Sequence, residues 1–242
     1  MRKVAIATFA TLLFTASMLA QKTTKTWDQW TQKDAEKILN DSPWGQTYTE
    51  TDTREMFFDP TTQGGRGDSG SRRGQGAVNT EVHVNFRIRF FTARPVRQAF
   101  VRLMELQQTN LPKDTIERLN VFANLKSDQY IIVAITCDAT DQRYSGPVFQ
   151  ALGSATTDLV KNNTYLERKD GKRLFATEYV APGKDGFGAR FIFPRVVEGK
   201  PFLTPDSGEV RFYSQFAVGS TGIKVDRRYK IADMMYDGQL EY

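Results

Sequence analysis

The sequence predicts an α+β fold, and three stretches carry that prediction. The first is Tyr130–Cys137, which reads Tyr-Ile-Ile-Val-Ala-Ile-Thr-Cys and contains no Gly or Pro. An apolar run of that length, bounded by Ser127-Asp128 and by Asp138-Ala139-Thr140-Asp141, is a central strand covered on both faces, because a strand with one wet face would alternate. The second is Val82–Phe90, where Val82, Val84, Phe86, Ile88 and Phe90 alternate with His83, Asn85, Arg87 and Arg89, the period of a strand with one wet face. The third is the back half from Thr164, a succession of short strands and turns. Together they give a mixed β-sheet, with a strand-helix-helix-strand crossover in the first half and an antiparallel meander in the second.

The chain opens with Met1-Arg2-Lys3 and then runs apolar from Val4 to Leu19, broken only by Thr and Ser, before the small residue Ala20. A cationic start, an apolar middle and a small residue at the exit are the parts of a secretory signal peptide, here residues 1–20. The strictly apolar part is short and threonine-rich beside the span of about 20 residues that crosses a bilayer, so no transmembrane helix is expected in the mature chain, Gln21–Tyr242. The expected location is periplasmic or secreted. The whole chain carries a net charge of +5, and removal of Arg2 and Lys3 lowers it. A mildly basic balance favours solubility and anionic partners without being a nucleic-acid footprint. The single cysteine, Cys137, excludes an intramolecular disulfide and, at the end of an apolar strand, reads as a buried inert thiol.

Residues 21–60 form a Trp-rich N-terminal helical arm. Trp27, Trp30 and Trp44 are the chain's three tryptophans. Between the last two, Thr31 caps a helix that runs to Asn40, with Ala35, Ile38 and Leu39 on one face and Asp34 suited to the helix N-terminus. Asn40-Asp41-Ser42-Pro43 stops it. One short helix cannot hide three indoles, so Trp27, Trp30 and Trp44 meet either the folded domain of the same chain or a partner, such as an envelope protein or an anionic surface.

This segment, Trp30…Asp34-Ala35…Ile38-Leu39…Ser42-Pro43-Trp44, resembles the opening of certain uncharacterised exported bacterial proteins, and the closing Asp237-Gly238-Gln239-Leu240-Glu241-Tyr242 is similar to their ends. The resemblance implies export and a single domain. It brings no activity and no site residues.

Thr61–Ala77 is a flexible Gly/Arg/Ser linker with no apolar residue before Ala77. It contains Arg66-Gly67-Asp68, a triplet that integrin-type receptors read but that such a composition produces by itself. Residues 78–242 then form the main domain. After Val82–Phe90, Pro95 opens a helix to about Gln108, with Val96, Ala99, Phe100, Leu103 and Leu106 on its apolar stripe and Arg94, Arg97 and Arg102 off it. A second helix starts near Pro112 and carries Ile116, Leu119, Val121, Phe122 and Leu125. A connection made of two helices is read here as a right-handed crossover between parallel neighbours. Pro147 to about Lys161 reads as a further helix. Lys169-Asp170-Gly171 turns a hairpin between Tyr165–Arg168 and Lys172–Val180, and Ala189–Phe193, Glu209–Phe216 and Ile223–Lys230 are strands that extend the sheet or pack a second one against it.

Few catalytic patterns are present. One His and one Cys cannot supply a metal site of His/Cys type without carboxylates, and no metal or cofactor is expected. There is no His-Glu-x-x-His motif and no Gly-x-Ser-x-Gly elbow. Gly183-Lys184-Asp185-Gly186-Phe187-Gly188 has the glycines of a phosphate cradle but precedes a strand, which makes it a loop. Asp138 and Asp141, at the end of the central strand, are the one carboxylate pair placed for hydrolytic chemistry, although turn formation also uses Asp there. The expected function is therefore an exported, non-enzymatic binding or scaffolding domain of the cell envelope, with a carboxylate hydrolase as the alternative.

Overall fold

Thr31 starts the first helix, α1 (Gln32–Asn40), with a capping box: Asp34 N–H donates to Thr31 Oγ1 at 3.2 Å and Thr31 N–H donates to Asp34 Oδ2 at 3.0 Å. The computed structural model describes residues 25–51, 83–108, 110–139, 142–218 and 221–242. The expected leader (1–20), the linker (61–77) with Arg66-Gly67-Asp68, and Asp141 lie outside the described residues. After α1, Ser42 reverses the chain: its hydroxyl donates to Ile38 O at 2.5 Å and accepts from Trp44 N–H and Gly45 N–H, both at 3.1 Å. Gly45 is required there, because a Cβ would sit 2.4 Å from Leu39 O. Strand β1 (Gly45–Thr51) then pairs antiparallel with β2 (His83–Phe90), Gly45 opposite Arg89 and Thr51 opposite His83. Residues 25–51 thus supply the edge strand of the main sheet.

Helices α2 (Arg94–Gln107) and α3 (Lys113–Asn124) follow, and β3 (Tyr130–Ala139) returns beside β2. The pairing is antiparallel, Phe90 opposite Val133 and Val84 opposite Ala139. This corrects the expected parallel crossover, and every strand pair among the described residues is antiparallel, so neither main sheet is mixed. The reason is geometric. One helix carries the chain to the far end of a sheet, whereas two helices of similar length, about 21 Å out and about 18 Å back at 1.5 Å per residue, return it to the end it left.

The five-stranded sheet has the order β1-β2-β3-β7-β6, with β6 (Glu178–Val180) and β7 (Ala189–Pro194), so Tyr130–Cys137 is in the centre, as its composition requires. The back half is the expected meander. It builds a second sheet, β9-β8-β4-β5, from β4 (Thr164–Arg168), β5 (Arg173–Phe175), β8 (Glu209–Val218) and β9 (Thr221–Lys230). The run Lys172–Val180 divides at Ala176-Thr177, its first part joining this sheet and its second the five-stranded one. The two sheets face each other through Phe90 and Tyr229 (ring centroids 4.9 Å apart), Phe86 and Phe216 (6.5 Å) and Phe191 and Phe212 (5.8 Å). The fold is α+β, three layers deep: sheet, sheet, helices.

The helical layer covers the other face of β2 and β3, and this changes two expectations about charge. Arg89, expected on a wet face, is only 5% exposed beneath α1. Its guanidinium donates to Leu39 O (2.8 Å), Asn40 Oδ1 (2.9 Å) and Thr136 Oγ1 (3.0 Å), which places a cation at the negative end of the helix dipole. Arg97 is likewise buried and donates to the carbonyls of Thr92, Phe122 and Leu125, closing the C-terminus of α3. Burial pulls both guanidinium groups down to about 10. Conversely, only part of α3's apolar stripe is used: Phe122 packs inward while Val121 is 64% exposed. The expected helix from Pro147 starts earlier, as α4 (Gln142–Ser154), with Pro147 inside it, and a separate single turn, α5 (Thr157–Val160), follows. No helix among the described residues is long and apolar enough to cross a membrane.

Candidate functional site

The three tryptophans meet in one place. A 3-10 turn at Trp27–Gln29 leads into α1, whose residues Asp34, Lys37 and Ile38 share a face with Trp30 at helical spacing. Opposite stand Arg94 and Gln98 at the start of α2, Asn124 at the end of α3, and a small C-terminal hairpin that presents Met235, Tyr236 and Asp237. That hairpin pairs Met235–Tyr236 with Gln239–Leu240 around Asp237-Gly238, whose φ values of 48° and 75° fit a tight two-residue turn. Between these walls lies an open groove of about 1130 Å³, lined also by Trp27, Trp30 and Trp44.

Trp30 and Trp44 form the floor, 9% and 6% exposed, and Trp27 is a half-buried lip. Trp44 is fixed twice: its indole N–H donates to Glu241 O at 2.9 Å, and Tyr236 meets it edge-on with ring centroids 5.9 Å apart. Trp30 is held through its carbonyl, which accepts from Arg102 Nε at 2.8 Å. Tyr236 donates its hydroxyl to Gln98 Oε1 at 2.7 Å and carries the Arg94 guanidinium over its ring at 4.9 Å. Burial, reinforced by the Asp237 carboxylate, pushes the Tyr236 hydroxyl up to about 12, so at neutral pH it is a donor and not an anion. Aromatic floor, amides and mixed charge line the groove, and no nucleophile-base pair stands within it among the described residues.

Electrostatically the walls are balanced save for one group. Arg94 faces Asp237 (3.0 Å) and lies 3.3 Å from Glu241 Oε1, the latter an ion contact without hydrogen-bond alignment. Asp34 is held by Thr31 and, at 3.4 Å, by Lys25. The backbone and hydroxyl of Thr31 keep its carboxyl below the usual carboxylate range. The Lys37 ammonium has no carboxylate within ion-pair distance among the described residues.

The other candidates are placed differently. Asp138 lies on the helix side of β3, 45% exposed, with Oδ1 2.9 Å from Arg87 Nη1 on the neighbouring strand, close in distance but not aligned as a hydrogen bond. Asp141 is outside the described residues, so the carboxylate pair is not assembled among them. Cys137 is buried, and that burial pushes its thiol up to about 12, far from a reactive thiolate. His83 opens β2 and is half-buried. The Gly183–Gly188 loop is a latch: Phe187 packs on Phe91 (4.7 Å), Phe100 (5.5 Å) and Phe122 (5.9 Å), and Asp185 pairs with Arg190 at 3.0 Å. No cluster of three His, Cys, Asp or Glu side chains able to hold a metal ion occurs among the described residues.

Sequence reasoning therefore grouped Trp27, Trp30 and Trp44 but missed Arg94, Gln98, Asn124 and Tyr236, which reach the groove from distant parts of the chain. No protein-family model and no curated protein matches the chain. A solved structure from Burkholderia pseudomallei, described as a novel protein of unknown function, is similar over 58% of this chain and 74% of its own, with 8% identity and a TM-score of 0.36. At that level the likeness carries no argument about function.

Proposed function

We propose that the chain is an exported, non-enzymatic binding domain of the cell envelope and that it holds its ligand in the tryptophan groove. The observation that supports this most is that all three tryptophans of a 242-residue chain line one groove of about 1130 Å³. Aromatic side chains concentrate where binding energy is concentrated. Export rests on the sequence of residues 1–20. The hydrolase alternative draws little support, since Asp138 is half-exposed and faces Arg87.

The test is co-sedimentation of the purified mature chain with a bacterial envelope fraction, comparing the native protein with Trp27→Ala. Trp27 is the lip residue, and its removal leaves Trp30 and Trp44 in the core. Binding that falls with Trp27→Ala while the protein remains folded, with a stability loss below about 1.5 kcal/mol, is the expected result. Equal sedimentation of the two proteins, or turnover of any substrate abolished by Asp138→Ala, would refute the proposal.

A further inference from the structure

The groove's lining narrows the class of ligand, and this inference rests on the binding function proposed above. At about 1130 Å³ and open on one side, the groove has room for a ligand of several rings. Gln98 and Asn124 face it as a linked pair, Gln98 Nε2 donating to Asn124 Oδ1 at 3.1 Å. Each primary amide has two donor hydrogens and two acceptor lone pairs. Gln98 uses one N–H on Asn124 and one lone pair on Tyr236, and Asn124 uses one N–H on Asn120 O. Gln98 is itself only 3% exposed and serves to hold Asn124 and Tyr236 in place, while the exposed Asn124 presents its remaining N–H and lone pair to the groove. Both wall carboxylates, Asp34 and Asp237, already face Lys25 and Arg94, which leaves Lys37 as surplus positive charge.

A ligand that satisfies all three features has rings with apolar C–H faces, hydroxyls that both donate and accept, and carboxylates. We infer that the groove takes a chain of carboxylate-bearing sugar residues, with the rings stacked against Trp27 and a carboxylate on Lys37. A peptide added as a strand fits less well, because the strand in the lining, Met235–Tyr236, is two residues long and already paired with Gln239–Leu240. Two envelope sources share this sugar chemistry, uronic-acid polysaccharides and cell-wall glycan strands whose lactyl carboxylates are freed of peptide.

The test titrates the mature chain with a galacturonic-acid hexamer, a neutral β-glucose hexamer, soluble peptide-free cell-wall glycan strands and a proline-rich peptide, following tryptophan emission. At least one acidic glycan is expected to bind more tightly than the neutral hexamer, and which one it is identifies the source. Trp27→Ala should weaken that binding about tenfold, and Lys37→Gln about threefold, with a flatter salt dependence. Circular dichroism verifies that both variants are folded. Equal binding of acidic and neutral hexamers, indifference to Lys37→Gln, or binding of the peptide alone would overturn the inference. If no acidic glycan binds while envelope co-sedimentation still depends on Trp27, this inference fails and the binding function stands; if that dependence is absent too, both fail.

Discussion

Replacing Arg89 tests how the groove is held together. Its buried guanidinium joins the C-terminus of α1, through Leu39 O and Asn40 Oδ1, to β3, through Thr136 Oγ1. Hydrogen bonds from a charged donor are each worth roughly 1.5–3 kcal/mol, so three would gross about 6 kcal/mol. Against that stands the desolvation of a cation with no buried carboxylate beside it, a cost of several kcal/mol. Arg89→Ala removes both terms, but it leaves three acceptors and a cavity under the helix. The expected net loss is about 3–5 kcal/mol. Arg89→Lys keeps the charge and loses the fork, and should cost about 2 kcal/mol. Urea unfolding reads both values. Because the tryptophans flank α1, their emission should change at lower urea than the far-UV circular dichroism in Arg89→Ala, as α1 lifts before the sheets unfold. An Arg89→Ala protein within about 1 kcal/mol of the native one, with coincident transitions, would refute this reasoning.

Other substitutions probe the rest of the account. Gly188→Ala places a Cβ 2.2 Å from Ile135 O at a φ of +79°, so a loss of at least about 3 kcal/mol in urea unfolding is expected, and an unchanged midpoint would contradict the close approach. Burial raises the Cys137 thiol from 9.0 to about 12, so its contribution to stability is intact below pH 9 and is lost as the pH climbs toward 12. By pH 10 the loss is about 1 kcal/mol, and Cys137→Ala should show a correspondingly shallower decline between pH 8 and pH 10; parallel curves would count against a buried, protonated thiol. Asp138→Asn should change stability by less than about 1 kcal/mol, since its partner Arg87 is partly exposed, and a larger shift by calorimetry would reveal a stronger role for that carboxylate. Trp44→Ala should cost about 3–5 kcal/mol whereas Trp27→Ala costs under about 1.5 kcal/mol, a contrast that thermal melts can check.

Much of the fold was legible where a single period decides the structure. The alternation from Val84 to Phe90 identifies the inner face of β2 correctly, the run Ile131–Cys137 identifies the central strand, and Thr31 with Asp34 identifies the start of α1. What failed depended on layers that a local pattern cannot contain. Arg89 alternates like a solvated residue and is buried because α1 lies over it. Arg97 sits off the stripe of α2 and is buried because the end of α3 supplies three carbonyls. The antiparallel return of β3 depended on two helices cancelling each other's displacement, which hydrophobic pattern does not encode. The site divides the same way. Trp27, Trp30 and Trp44 are close in sequence and visible as a group, whereas Tyr236 and Gln98 are joined by a hydrogen bond across 138 positions. An Asp237-Gly238 pair favours a tight turn, but nothing in it indicates which surface it closes.

The most direct test of the central claim uses the three tryptophans as reporters. Labelling with 5-fluorotryptophan gives one fluorine resonance per indole, assigned with Trp27→Phe, Trp30→Phe and Trp44→Phe. Addition of soluble envelope material that binds the chain should move the Trp27 resonance most, with smaller shifts at Trp30 and Trp44 on the floor. Saturable binding that leaves all three resonances in place would show that the ligand sits elsewhere and would contradict the account.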